Sequence, residues 1–266
     1  MASTQSAEEV RTELISLMGS DLGSLYDELR TEVAWLHIKW NRFLALFAEA
    51  EERIDLMNNT APAFFREAQR LMAEDVFMHI SRLTDRPEMM VRGETYQRLT
   101  LARLATALGK SNLRSTIDKK LEKLEDQCNF ARDWRNRRIA HRDLALAMET
   151  PDYKPLEGAS GENVECALAA IRDVMNTVLL HFKESVVGYE HGIPAMGDAE
   201  ALLHYVKLGL QAEQARFDSL RQSANPPHES ENAIPPAPET PGPCSKLTAL
   251  WRILCGGRHS SGKPRT

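Results

Sequence analysis

Apolar residues fall on one face of a helix from the first third of the chain onward. Leu22, Leu29, Leu36, Phe43, Ala50 and Met57 recur every seven residues, and Tyr26, Val33, Trp40, Phe47 and Ile54 each follow four later. Such a seam predicts one long helix from about Asp21 to Asn58. At 1.5 Å per residue it would be roughly 55 Å long, so it needs partners along its length, within the chain or in a second subunit. Asn58-Asn59-Thr60-Ala61-Pro62 ends it. A second helix carries Phe65, Met72, Val76, Ile80 and Leu83 and stops near Asp85-Arg86-Pro87. A third is predicted from about Glu94 to Leu108, ended by Gly109. A fourth starts near Ser111 and carries Ile117, Leu121, Leu124, Cys128 and Ala131.

Pro151, Pro155, Gly158 and Gly161 mark a loop from Thr150 to Gly161. A fifth helix holds Val164, Leu168, Ile171, Met175, Val178 and Phe182. After a loop at Gly188–Gly197, a sixth helix runs from Asp198 to about Gln222. No stretch alternates convincingly as a strand, so the expected fold class is all-α: a helical bundle with one long N-terminal helix. Residues 1–20 read as an N-terminal extension, 21–222 as the helical domain and 223–266 as a disordered Pro-rich tail. The tail ends in a short apolar patch, Leu247–Leu254, and a basic end. Two turns are too few for a stable helix alone, so a weak local helix is the simpler reading than a membrane-surface anchor.

Composition adds mostly exclusions. The 266 residues suffice for a full core, and a net charge of −5 gives no global sign of nucleic-acid binding, so any basic site must be local. The polar start lacks the pattern of a signal peptide, and no apolar run reaches the roughly 18 residues of a membrane span. Cys128, Cys166, Cys244 and Cys255 show neither close pairing nor metal-ligand spacing. The expectation is a cytoplasmic protein without a metal or other cofactor.

The local basic site lies on the fourth helix. The face that carries Ile117, Leu121, Leu124, Cys128 and Ala131 continues as Arg135, Arg138 and Arg142. Arginines seldom line an interfacial stripe unless something anionic meets them. His141 follows Arg138 by three positions and Arg137 by four, which makes it their neighbour on a helix surface. An imidazole can move the proton of a ribose 2′-OH or of the leaving oxygen near neutral pH, and guanidinium groups hold phosphate and offset its developing charge. A plain alternative stands beside this. Asp133 and Arg137 form an i, i+4 pair of the kind that supports an exposed helix, and Arg132, Arg137 and Arg142 read equally as solvated charges.

Arg135-Asn136, a short spacer and Ala140-His141 resemble the motif of the HEPN superfamily. The wider context resembles its abortive-infection U branch in Leu36-His37-Ile38-Lys39-Trp40-Asn41-Arg42-Phe43, Ala63-Phe64-Phe65, Ile80-Ser81-Arg82-Leu83-Thr84-Asp85 and Trp134 through Leu144, over roughly residues 20 to 215. The resemblance implies a helical bundle that dimerises through its motif-bearing helices. It also implies a metal-independent endoribonuclease that leaves a 2′,3′-cyclic phosphate, serving in antiphage or toxin–antitoxin defence. Arg135 and His141 would then be the catalytic pair and Asn136 the orienting residue, with Arg137, Arg138 and Arg142 binding RNA. The implied partners are RNA, a second copy and an antitoxin or other protein. Some members of the superfamily bind RNA without cutting it, and a scaffold that oligomerises through the first helix is a third reading. On a regular helix, six steps of about 100° place Arg135 and His141 roughly 240° apart. Either the helix loosens before His141, or a second copy supplies the arginine; on a straight helix Arg138 is the better neighbour.

Overall fold

The computed structural model describes residues 5–48, 50–191 and 198–224. The Pro-rich stretch and the Leu247–Leu254 patch lie outside them. The residues expected as an extension contain a helix, α1 (Ala7–Met18). Its start is written locally as a capping box: the Ser6 hydroxyl accepts from the Glu9 N–H at 3.2 Å, and the Glu9 carboxylate accepts from the Ser6 N–H at 2.7 Å. Gly19 turns the chain at φ 85° into α2 (Ser20–Phe47). A Cβ at Gly23 would lie 2.6 Å from the Ile15 Cα, so only glycine allows this approach of the two helices.

The apolar seam was expected to run unbroken to Asn58. Instead α2 ends at Phe47, and a separate helix, α3 (Glu51–Thr60), follows an extended Ala50. Charge explains the break. Acidic Glu51 and Glu52 oppose the negative end of a helix but suit the positive start of a new one. Arg53 donates to the Ala45 carbonyl at 2.6 Å and so satisfies one acceptor freed at the end of α2.

After α4 (Pro62–Thr84), the predicted third helix is corrected in its first half. Glu88–Val91 (β1) and Glu94–Gln97 (β2) form an antiparallel hairpin with Met89 opposite Tyr96, and the helix proper, α5, covers only Leu101–Ala107. The turn residues Arg92 and Gly93 both have positive φ, as a two-residue hairpin turn requires. Every residue of both strands is exposed, so no apolar periodicity marked them. The Arg98 N–H closes the hairpin on the Pro87 carbonyl at 2.8 Å.

The fourth helix is interrupted twice. It comprises α6 (Asn112–Gln127), α7 (Asn129–Trp134) and a π turn at Arg135–Ile139. A short α8 (Leu144–Met148), capped by Asp143, precedes the expected loop; α9 (Gly161–Lys183) and α10 (Ala199–Ala224) complete the order. Apart from the hairpin, the described residues are α-helical in class.

The chain divides into two compact units, and α2 and α4 each contribute to both. In residues 5–41 and 71–191, the core comprises Tyr26, Leu29, Val33 and Leu36 of α2 and Val76, Phe77, Ile80 and Leu83 of α4. Ile117, Leu124 and Ala131, with the apolar face of α9, complete it. Each fully buried Val, Leu, Ile or Phe side chain among these contributes about 1.5–3 kcal/mol by leaving water. The Tyr26 hydroxyl donates to the Met175 carbonyl at 3.4 Å, and Lys39 pairs with Asp75 at 2.8 Å. In residues 42–70 and 198–224, α3 lies along α10, with Arg53–Glu200 at 2.6 Å and Arg42–Asp198 at 3.2 Å.

Two of the helix histidines are core residues. His37 is 1% exposed and stacks on Tyr189 at 5.9 Å; burial, reinforced by the Arg172 charge, lowers its pKa to about 4. His79 is equally sealed. Its Nε2 lies 3.0 Å from Glu32 without hydrogen-bond alignment, and burial again favours the neutral ring. Unfolding restores both to ordinary values, so the unfolded chain takes up protons first. Stability is therefore full above about pH 6.5 and falls as pH drops. His37 alone accounts for roughly 2 kcal/mol between pH 6.5 and 5, and His79 acts in the same direction. Urea midpoints at the two pH values measure this; equal midpoints would show that these rings are not buried neutral.

Candidate active site at the end of the fourth helix

The site is built on a packed aromatic base. Phe130, Ala131 and Trp134 are the buried residues of α7, and Phe77 of α4 meets Phe130 edge-on at 5.6 Å and Trp134 at 5.3 Å. Arg132 donates to the Thr84 carbonyl at 2.8 Å, which satisfies a C-terminal acceptor of α4, and pairs with Glu125 at 3.4 Å. These contacts set where α7 ends relative to α4.

There the backbone changes pitch. The Ala140 N–H donates to the Arg135 carbonyl, five residues back, at 2.8 Å, and the Asp143 N–H reaches the Arg137 carbonyl at 3.0 Å. π turns are rare and concentrate at functional sites. The helix thus loosens and ends before His141, which is one of the two arrangements the spacing left open. The angle calculated for a regular helix does not apply.

The predicted residues then divide by environment. Arg135 is largely covered. Its Nη1 donates to Asp85 Oδ2 at 2.6 Å and its Nε to Asn136 Oδ1 at 3.0 Å, while its Nη2 has no partner among the described residues. Asn136 itself is exposed and orients the guanidinium. Arg137 is the most committed of the group. It meets Asp133 at 3.3 Å, Asp143 at 3.6 Å, the Pro155 carbonyl at 3.4 Å and the Lys154 carbonyl. Asp133 in turn accepts from the Glu157 N–H at 2.9 Å. The i, i+4 pair Asp133–Arg137 therefore anchors the following loop as well as the helix. Arg138 is exposed and lies over the Trp134 ring at 5.2 Å, a cation–π contact. Arg142 and His141 are exposed and have no hydrogen bond or ion pair among the described residues.

Within one chain, then, no hydrogen bond joins His141 to Arg135, Arg137 or Arg138. The π turn and the residues just after it carry an exposed imidazole, two exposed guanidiniums and one oriented, partly covered guanidinium. Such a set can exchange protons and bind phosphate. Two further charged residues belong to the same corner. Asp85, which the sequence marked only as the end of the second helix and part of the family-like stretch, accepts from Arg135 and also from Arg98 at 3.1 Å. Arg98 carried no sequence signal, because its role depends on a hairpin that periodicity did not reveal.

Residues 19–202, more than half of the chain, match the family model HEPN_AbiU2, described as AbiU2. No curated protein and no solved structure gives a significant match.

Proposed function

The chain belongs to the AbiU2 family of HEPN proteins, and we propose that it is a metal-independent endoribonuclease of bacterial abortive-infection defence, acting in the cytoplasm as a homodimer. The observation that carries this reading is the exposed His141, without a hydrogen bond or ion pair among the described residues, just past a π turn whose first residue, Arg135, is already oriented by Asn136 and Asp85. His141 takes the proton of a ribose 2′-OH, and the 2′ oxygen attacks the adjacent phosphorus. The bond to the 5′ oxygen breaks, and that oxygen takes a proton from the second imidazole of the dimer. The products are a 2′,3′-cyclic phosphate and a 5′-hydroxyl end. Arg135 stabilises the negative charge that builds on the phosphoryl oxygens, and Arg138 and Arg142 draw the flanking backbone in. Arg137 contributes chiefly by holding the loop.

The same geometry supports the dimer. One chain supplies one imidazole, and acid and base must both come within hydrogen-bond reach of one phosphate. A two-fold axis through the π turns would bring both rings and both arginines to one seam. An antitoxin would act by covering that seam. No helix among the described residues is long and apolar enough to cross a membrane.

The purified protein is expected to cut bulk RNA in EDTA, leave cyclic-phosphate ends and sediment as a dimer. A second reading is favoured by the engagement of Arg135 with Asp85 and the lack of any bond to His141 among the described residues: a HEPN module that binds RNA or a protein partner without cutting. Salt-sensitive RNA retention without cleavage would select that reading over the nuclease.

A further inference from the structure

We infer that Arg98 and Arg135 together form a binding site for a backbone phosphate of RNA, and that Asp85 holds the pair together in the free protein. The inference rests on the proposed function only for the identity of the anion.

The geometry is that of a shared acceptor. Arg98 Nη1 and Arg135 Nη1 donate to the same oxygen, Asp85 Oδ2, at 3.1 and 2.6 Å. The two nitrogens can therefore be no farther apart than those bonds laid end to end, a gap that two non-bridging phosphate oxygens can bridge. One carboxylate neutralises only one of two guanidiniums, so the corner keeps an excess positive charge in a chain whose net charge is −5. Arg86, next to Asp85, is exposed and has no ion pair among the described residues, which adds to the excess. The nearby Glu88 is already engaged by Gln97 at 3.2 Å and lies 3.9 Å from Arg103.

Both arginines have donors to offer. Arg135 Nη2 is without a partner among the described residues, and Arg98 Nη2 faces only the thioether of Met89, a weak acceptor that a phosphate oxygen displaces readily. Their side chains are 21% and 33% exposed, accessible to a ligand yet partly shielded from water. The site gives the exposed hairpin a purpose. Arg98 is the residue whose N–H closes it on Pro87, so the hairpin sets the position of the second guanidinium.

The test is binding of a short single-stranded RNA with 2′-O-methyl sugars, which cannot be cut, by fluorescence anisotropy over a salt series. Arg98→Gln is expected to weaken binding about tenfold and to reduce the slope of log K against log salt by about 0.7, the value of one lost phosphate contact on a single strand. Arg98→Lys should keep the slope. Asp85→Asn, which removes the competing charge and leaves both arginines, should tighten binding severalfold. An unchanged slope in a folded Arg98→Gln protein overturns the site. If that variant fails to fold, Asp85→Asn decides alone: affinity that stays level or falls overturns it. Wild-type protein that binds this RNA yet leaves unmodified RNA intact refutes the nuclease and not the phosphate site. Wild-type protein that binds no RNA refutes both.

Discussion

His141→Ala is expected to slow RNA cleavage by about 10²- to 10⁴-fold, the usual contribution of a positioned proton-transfer group, while leaving the fold intact. The two halves of this expectation have separate grounds. The ring is exposed and makes no hydrogen bond or ion pair among the described residues, so its removal breaks no contact that stabilises the chain. Surface substitutions of that kind stay within about 0.5 kcal/mol, which in a domain of this size shifts the melting temperature by about 2 °C or less. The catalytic half rests on chemistry. Alanine offers no group that exchanges a proton near neutral pH. Single-turnover cleavage in EDTA, with a thermal melt of the same preparation, gives both numbers. Undiminished cleavage by the variant would remove His141 from the chemistry, and a large drop in melting temperature would show that the ring is not free.

Trp134→Ala should have the largest effect on stability, about 3–5 kcal/mol, as expected for loss of a buried aromatic ring. Trp134 is 2% exposed and meets Phe77 at 5.3 Å, which joins α7 to α4. Its indole N–H donates to the Glu157 carbonyl at 2.9 Å, which ties down the loop before α9, and its face carries Arg138. Alanine leaves a cavity, an unpaired carbonyl and an unsupported guanidinium one residue ahead of the π turn. Urea denaturation should show a lower midpoint, and cleavage should fall with it because the turn loses its base. Trp134→Phe separates the contributions: it keeps most of the ring and loses the hydrogen bond, at about 1–3 kcal/mol. A loss below about 1 kcal/mol in the alanine variant would mean that α7 is not seated on α4 in this way.

Much of the architecture was open to inspection in one dimension because burial of a helix face leaves a period. Leu22, Tyr26, Leu29, Val33, Leu36 and Trp40 are spaced for one buried stripe, and all are buried. Val164 through Val178 did the same for α9. Where local charge or backbone conformation competes with that period, reading by period fails. The seam carried Ala50, Ile54 and Met57 past a break that the acidic run at Glu51 and Glu52 already signalled. At Glu88–Gln97 both faces of the hairpin are exposed, so no apolar alternation betrayed it, and Arg92-Gly93 was the one local cue.

Of the site, the chain by itself determined the inventory: an arginine, an asparagine, three further arginines and a histidine at the end of one helix, within a family pattern. That much follows from residue identity and spacing. Only the tertiary structure decided which of these groups are free. Arg137 is bound by Asp133 and the carbonyls of Lys154 and Pro155, Arg135 by Asp85 just beyond the end of α4, and His141 by nothing among the described residues. The physical reason is that a guanidinium's availability depends on the acceptor across from it. Asp85 stands 50 positions from Arg135 along the chain, a distance at which no helical or strand period carries information.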